Sequence, residues 1–293
     1  MDRRCQILLL AAFAMAAPAS GRSEGATIPD FSGLWWHPSL PGFEPMASGP
    51  TSVVNKSRRN GVSNYDQLVG DYTNPILQPW AADVVKKKGE LSLAGTTYPN
   101  PANQCWPEPV PFIYKNFATI ILQRPDHITI LYEQDHEVRQ VRMNAQHPKN
   151  LKPSWYGDSV GHYEGDTLVV DTVAQKSGPF AMVDLYGTPY TKDMHIIERY
   201  RLLDYADAKD GLDRDTKENQ HAGNDNINRN YRGKHLQVTF TVEDKGAFTT
   251  PWTATITYGR GSANWPETVC AENTHEYYNN KDSDIPTAKK PDF

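Results

Sequence analysis

Glu133, Asp135, His136 and Arg139 fall within seven consecutive positions, between two apolar stretches, His127–Glu133 and Val138–Met143. A carboxylate beside a histidine orients the ring and raises its pKa, which is what a general acid or base working near neutral pH requires. The cluster therefore nominates His136 as the proton-transfer residue, Glu133 or Asp135 as its orienting partner, and Arg139, with Tyr132 beside it, for an anionic group of a ligand. A solvated, charged hairpin turn is the plain alternative. A second pair of carboxylates lies inside apolar strands: Asp171 after Leu168-Val169-Val170, and Glu198 after Ile196-Ile197. Alternation along a strand puts Asp171 on the face of Val169 and Glu198 on the face of Ile196, so both are expected to point inward, with His195 and Arg199 outward. Inward carboxylates have raised pKa values unless paired, so they suit acid–base work; a structural ion pair of Glu198 with Arg139 fits equally well.

Other constellations are weaker. Gly157-Asp158-Ser159-Val160-Gly161 fits the nucleophile-elbow pattern, but that motif needs a strand before it and a helix after it, and here the downstream residues read as strand, Gly-Asp turn and strand. His136, His147, His162 and His195 lack the helical spacing of a zinc protease; only His162 and Glu164 share a strand-like spacing of two, so no metal is expected. The acidic run from Asp207 to Glu218 fails the register of a calcium loop. No Rossmann, P-loop or flavin pattern occurs, so no cofactor is expected. Trp35, Trp36, Trp80, Trp106, Trp155, Trp252 and Trp265 are candidates for a pocket wall, Trp35 and Trp155 foremost, though core packing explains them too.

The elements that must position these groups are short, evenly spaced β segments: Ala118–Gln123, His127–Glu133, Val138–Met143, Ser159–Glu164, Thr167–Val173, Met194–Leu203, Leu236–Glu243 and Trp252–Tyr258, with Phe31–Trp36 near the start. Such spacing predicts an antiparallel meander, closed as a barrel or folded as a sandwich. One helix is signalled, over Pro79–Lys88, with proline early and cations late. Residues 38–75 read as a long surface arm, and the polar stretch 204–234 as a disordered loop or a lid.

Two arginines before an apolar run from Ile7 to Ala17, followed by small residues, read as an export signal ending near Ala19. That run is too short to span a bilayer, which takes about 20 residues, so no membrane insertion is expected. Cys5 leaves with the signal, and the remaining pair, Cys105 and Cys270, is expected to be bonded in an oxidising compartment. With 30 Lys plus Arg against 35 Asp plus Glu, a net of -5, the chain has no cationic field for nucleic acid.

The run Trp155-Tyr156-Gly157-Asp158-Ser159-Val160-Gly161-His162-Tyr163-Glu164-Gly165-Asp166-Thr167-Leu168-Val169-Val170-Asp171-Thr172 resembles a family of exported bacterial proteins, most without an assigned function. Asn74–Trp80, Tyr132–Arg139, His195–Tyr200 and Phe248–Trp252 match it too, while Gly33-Leu34-Trp35 resembles the first strand of lipocalin barrels, which bind small apolar molecules. Together these readings give a mainly β, lipocalin-like antiparallel barrel over 113–270, a signal at 1–19, an N-terminal arm with one helix over 20–112, and a tail over 271–293. The expected function is binding of a small organic molecule in the periplasm or outside the cell, with cofactor-free acid–base chemistry by His136, Glu133, Asp171 and Glu198, or else a non-catalytic carrier or envelope interaction protein.

Overall fold

The computed structural model describes residues 28–115, 118–218, 227–261, 265 and 270; the expected export signal, the tail from 271 and part of the 204–234 insertion lie outside them. Ten strands follow the chain: β1 (Gly33–Trp36), β2 (Glu44–Pro45), β3 (Ala118–Gln123), β4 (His127–Tyr132), β5 (Val138–Met143), β6 (Asp158–Glu164), β7 (Thr167–Val173), β8 (His195–Leu203), β9 (His235–Glu243) and β10 (Trp252–Arg260). Two helices join them, α1 (Pro79–Leu93) and α2 (Tyr205–Glu218). Strands β1 and β3 to β10 close into a nine-stranded barrel, sealed where Trp35 and Trp36 of β1 pair with Arg260 and Gly259 of β10. The short β2 pairs with Ala254 and Thr255, farther along β10. A closed sheet has no edge to attract another chain.

Barrel closure follows from the period of two. On β9 Val238, Phe240 and Val242 face in, on β10 Trp252, Ala254, Ile256 and Tyr258 do so, and on β4 Ile128, Ile130 and Tyr132, all buried. Burying each large apolar side chain contributes about 1.5–3 kcal/mol, against the entropy of ordering the chain. One junction departs from the expected meander: β5 and β6 run parallel, from Val141–Ser159 to Met143–Gly161. Parallel neighbours cannot be joined by a tight turn, so residues 144–157 form a crossover on the outside of the barrel. The crossover ends at Gly157, whose φ of +68° and whose approach to Val173 O, 2.3 Å from where a Cβ would stand, admit only glycine.

Helix α1 starts as its proline predicts, and buries Ala81, Val85 and Gly89, four residues apart on one face. It is pinned to the β9–β10 turn, where Trp80 Nε1 donates to Gly246 O at 2.7 Å. Within the 38–75 arm Leu40, Phe43, Val53 and Val69 are buried, so the arm wraps the barrel and joins its core rather than lying on it. Within the 204–234 insertion, Tyr205–Glu218 form α2, a helix where the sequence read as loop. It packs on β10 with Ala208 buried and Gly211 so close that a Cβ would meet Thr257 Oγ1 at 2.3 Å. Cys105 and Cys270 are joined, closing a loop of 165 residues. Among the described residues no helix is long and apolar enough to cross a membrane.

Candidate functional site

The head of the barrel, where β4 ends and β5 begins, is capped by a 3-10 turn, Phe112–Lys115, whose four side chains are all buried. Tyr114 projects from this cap into the barrel and meets Glu198 of β8. Glu198 is wholly buried and takes a two-pronged contact from Arg139 of β5: Nη1 reaches Oε1 at 2.9 Å and Nη2 reaches Oε2. The hydroxyls of Tyr114 and Tyr200 both donate to Glu198 Oε1, the latter at 2.8 Å, and lie 2.6 Å from each other. Arg139 completes its donors on Ser159 Oγ at 3.1 Å and Thr172 Oγ1 at 2.6 Å. Burial pushes the Glu198 carboxyl up, the Tyr200 hydrogen bond works against that rise, and the facing Arg139 guanidinium holds the group as a carboxylate. Tyr132 is buried beside Arg139, whose guanidinium faces its hydroxyl. The space between Tyr114, Ile121, Ile130, Tyr132, Tyr200 and Val238 is packed too closely to seat a water molecule.

Above this layer the cap buries a second set of charges. Lys115 Nζ lies 3.6 Å from Glu108 Oε2 and 3.8 Å from the Phe112 ring centre, and both ionic side chains are 1% exposed. Burial lowers the Lys115 pKa and Glu108 works against it. Glu137 Oε1 accepts from Glu108 N at 2.8 Å. The Tyr156 hydroxyl donates to the Glu137 carboxylate, and burial first and that carboxylate second drive its pKa far above the usual phenol range.

A second polar array runs across the outer wall. Arg142 of β5 grips both oxygens of Asp158 of β6 at 2.8 and 2.7 Å. His147, from the crossover, places Nδ1 2.6 Å from Asp158 Oδ2 and Nε2 3.2 Å from Asp171 Oδ1 of β7. His195 of β8 places Nε2 2.9 Å from the same Asp171 oxygen and Nδ1 3.7 Å from Glu243 of β9. The Asp171 hydrogen bond, foremost, raises the His195 pKa; burial would raise Asp171, but its two histidines outweigh that and lower it.

Of the residues nominated from sequence, Glu198, Arg139 and Tyr132 meet in the interior, and the Glu198–Arg139 ion pair is present. Arg139 is engaged by that carboxylate rather than held out for a ligand's anion. Asp171 faces outward, not into the barrel: β7 turns Leu168, Val170 and Thr172 inward, and Val169 is buried as well, so both faces of this strand read as apolar. His195 and Arg199 face outward as expected, Arg199 reaching Glu164 at 2.7 Å. Glu133 is buried, its backbone N–H on Ala118 O at 2.9 Å, and burial raises its carboxyl. His136 is exposed, on a backbone with φ of +54°, and stands apart from the interior cluster; its ring lies 6.4 Å from that of Trp265. Trp35 is a core residue whose Nε1 donates to Phe31 O at 2.9 Å, and Trp155 packs edge-on against Trp106 at 4.9 Å under Lys176. Ser159 is buried and bonded to Arg139 and Thr172 in a strand that turns into another strand, so it is no elbow nucleophile.

Sequence reasoning passed over Tyr114, Tyr200 and Thr172, and weighed Ser159 only as a nucleophile and His147 only as a metal ligand. Tyr200 was readable, two residues from Glu198 on the same face; Tyr114 sits in an irregular cap that no periodicity marks. Among the described residues no group of three His, Cys, Asp or Glu side chains could hold a metal ion. Comparison with protein-family models, with curated proteins and with solved structures finds no match.

Proposed function

We propose that the protein is exported, binds a small, neutral organic molecule at the head of the barrel, and acts on it by proton transfer through Glu198. One observation carries the reading: Tyr114, Tyr132, Arg139, Glu198 and Tyr200, from the cap and three strands, converge in the interior. A buried ion pair adds little net stability relative to a well-packed apolar pair, so folding alone gives poor reason to place one there. The segments that resemble the exported family supply Tyr132, Arg139, Glu198 and Tyr200. Arg139 and Glu198 neutralise one another, so the site favours an uncharged hydroxyl, carbonyl or amide, with the apolar body against Ile121, Ile130 and Val238. Burial raises Glu198, so this carboxylate takes up a proton more readily than an exposed one. A disulfide spanning the domain fits an oxidising compartment. Tyr114 must withdraw with its cap before a ligand can enter.

The packed interior favours a second reading, a non-catalytic carrier or envelope interaction protein. Both are tested by adding phenol, cyclohexanone and benzamide to the full chain and reading the melting temperature, since a ligand selective for the folded state raises it. Stabilisation by one of them, lost in Tyr132→Phe, supports the interior site, and conversion of that compound supports the enzyme over the carrier. No response to any of the three overturns interior binding of this ligand class.

A further inference from the structure

The C-terminal end of α1 makes one wall of a cleft that shares no residue with the barrel interior or the outer array. Ala94 N bonds to Glu90 O at 3.1 Å, Gly95 N to Ser92 O at 3.0 Å and Thr96 N to Leu91 O at 3.0 Å. The φ of +71° at Gly95 turns the chain back at this point, and Thr96 and Thr97 line the cleft. The arm supplies the other wall through Tyr65, Asp66 and Leu68, tied to the helix where Leu68 N donates to Ser92 Oγ at 2.8 Å. Tyr98, buried, completes the lining with its hydroxyl on Leu185 O. The cleft holds about 200 Å³. That far exceeds the about 10–15 Å³ one water needs and falls below the about 300–1,000 Å³ of sites for drug-sized ligands, so it suits one small ring.

The polar groups of this lining have bonding capacity left over. Asn100 N donates to Asn103 Oδ1 at 2.8 Å and Asn103 N to Asn100 Oδ1 at 3.1 Å, which occupies the Asn100 carbonyl. The Asn100 amide nitrogen has no partner among the described residues, although the residue is only 8% exposed. The Asp66 carboxylate and the Thr96 and Thr97 hydroxyls likewise bond to no described residue, and Ser92 Oγ, having accepted from Leu68, still has its own hydrogen to give. Among the described residues no Lys, Arg or His lines the cleft, and the last turn of α1 carries no basic residue, so a phosphate or carboxylate finds no counter-charge. A cation would match Asp66 but not the Asn100 amide, which only donates. The hydroxyls of a sugar both donate and accept, and its ring has an apolar face to set against Tyr65 and Leu68. We propose that this cleft binds one neutral monosaccharide in its pyranose form, with Asp66 accepting from its hydroxyls and Asn100 donating to them. The site does not depend on the ligand proposed for the barrel interior.

Saturation-transfer NMR on the full chain, with glucose, galactose, mannose and N-acetylglucosamine as the probes, tests this directly. At least one of the four is expected to receive saturation from the protein. Asp66→Ala removes the charged acceptor and should weaken binding of that sugar about tenfold. Thr97→Trp fills the cleft and should abolish the transfer. Both side chains are exposed, so the two variants should keep the wild-type melting temperature. Tyr132→Phe, in the barrel interior, should leave the transfer unchanged, so failure of the interior site and failure of the cleft are separately visible. No transfer to any of the four sugars, or undiminished transfer in either Asp66→Ala or Thr97→Trp, overturns the proposal.

Discussion

The guanidinium of Arg139 and the carboxylate of Glu198, 59 residues apart in the chain, meet in a two-pronged contact at 1% and 0% exposure inside a barrel of apolar side chains. Each is bonded on its remaining side by hydroxyls, so the pair is satisfied as a unit and unsatisfied if either member is removed.

Removing one member should therefore be far worse than removing both. Glu198→Gln leaves a buried cation without its counter-charge and should cost about 3–5 kcal/mol, whereas Arg139→Met with Glu198→Leu should lie near wild type or above it. Urea unfolding of the single and double variants measures this. A double variant as unstable as the single one would show that the hydroxyl network, not the charge pair, holds the site. A stable double variant that no longer responds to phenol, cyclohexanone or benzamide would separate function from folding.

His195 should titrate above the ordinary histidine value, because its proton is shared with Asp171. Its folded pKa exceeds the unfolded one, so its contribution to stability is complete below about pH 6.5 and is lost as pH rises through the folded value. Water reaches the pair, which keeps the amount under about 1 kcal/mol. NMR titration of the imidazole resonances should show the raised value, and Asp171→Asn should bring it down; an unmoved His195 in that variant would remove Asp171 as the cause.

Two buried groups near the barrel head should pull stability in opposite directions on acidification. Burial lowers the His37 pKa to about 4, so its contribution is present above about pH 6.5 and is lost as pH falls toward 4. Burial raises Asp184 to about 6 despite hydrogen bonds from Tyr186 N at 2.9 Å and Thr188 N at 3.1 Å, so its contribution is complete below 3.8 and is lost as pH rises through about 6. Asp184→Asn keeps the acceptor and removes the titration. From pH 7 down to pH 4 the wild type should gain about 2 kcal/mol on this variant, and the variant should show the steeper acid loss that His37 causes. Parallel stability–pH curves would rule out a raised Asp184.

The Cys105–Cys270 bond closes 165 residues and removes entropy from the unfolded chain. Replacing both cysteines by serine should cost about 5 kcal/mol, read as a lower urea midpoint. A free-thiol assay on the unreduced, denatured protein, which should detect no thiol from this pair, checks the bond independently.

Much of the scaffold was legible in the residues themselves. Ala118–Gln123, Val138–Met143 and Thr167–Val173 were bounded as the strands β3, β5 and β7 stand, and the proline at the head of α1 marked its start. Local chemistry suffices there: β-branched and aromatic residues at a period of two, separated by turn residues, leave few other conformations that bury the apolar side chains. Glu198 was placed inward because β8 alternates cleanly, Ile196 and Tyr200 buried and Arg199 exposed. Asp171 was misplaced because Leu168, Val169 and Val170 are all buried, so alternation had no contrast with which to choose a face. That choice was made by the pairing of β7 between β6 and β8, which also brought Asp171 within reach of His147 and His195. The parallel β5–β6 junction and the descent of Tyr114 from its cap likewise depend on closing the whole sheet, an energy shared over nine strands that no local window contains. Hydrophobic patterning thus determined which segments become strands; closure of the barrel decided which polar side chains meet, because those contacts join residues tens of positions apart.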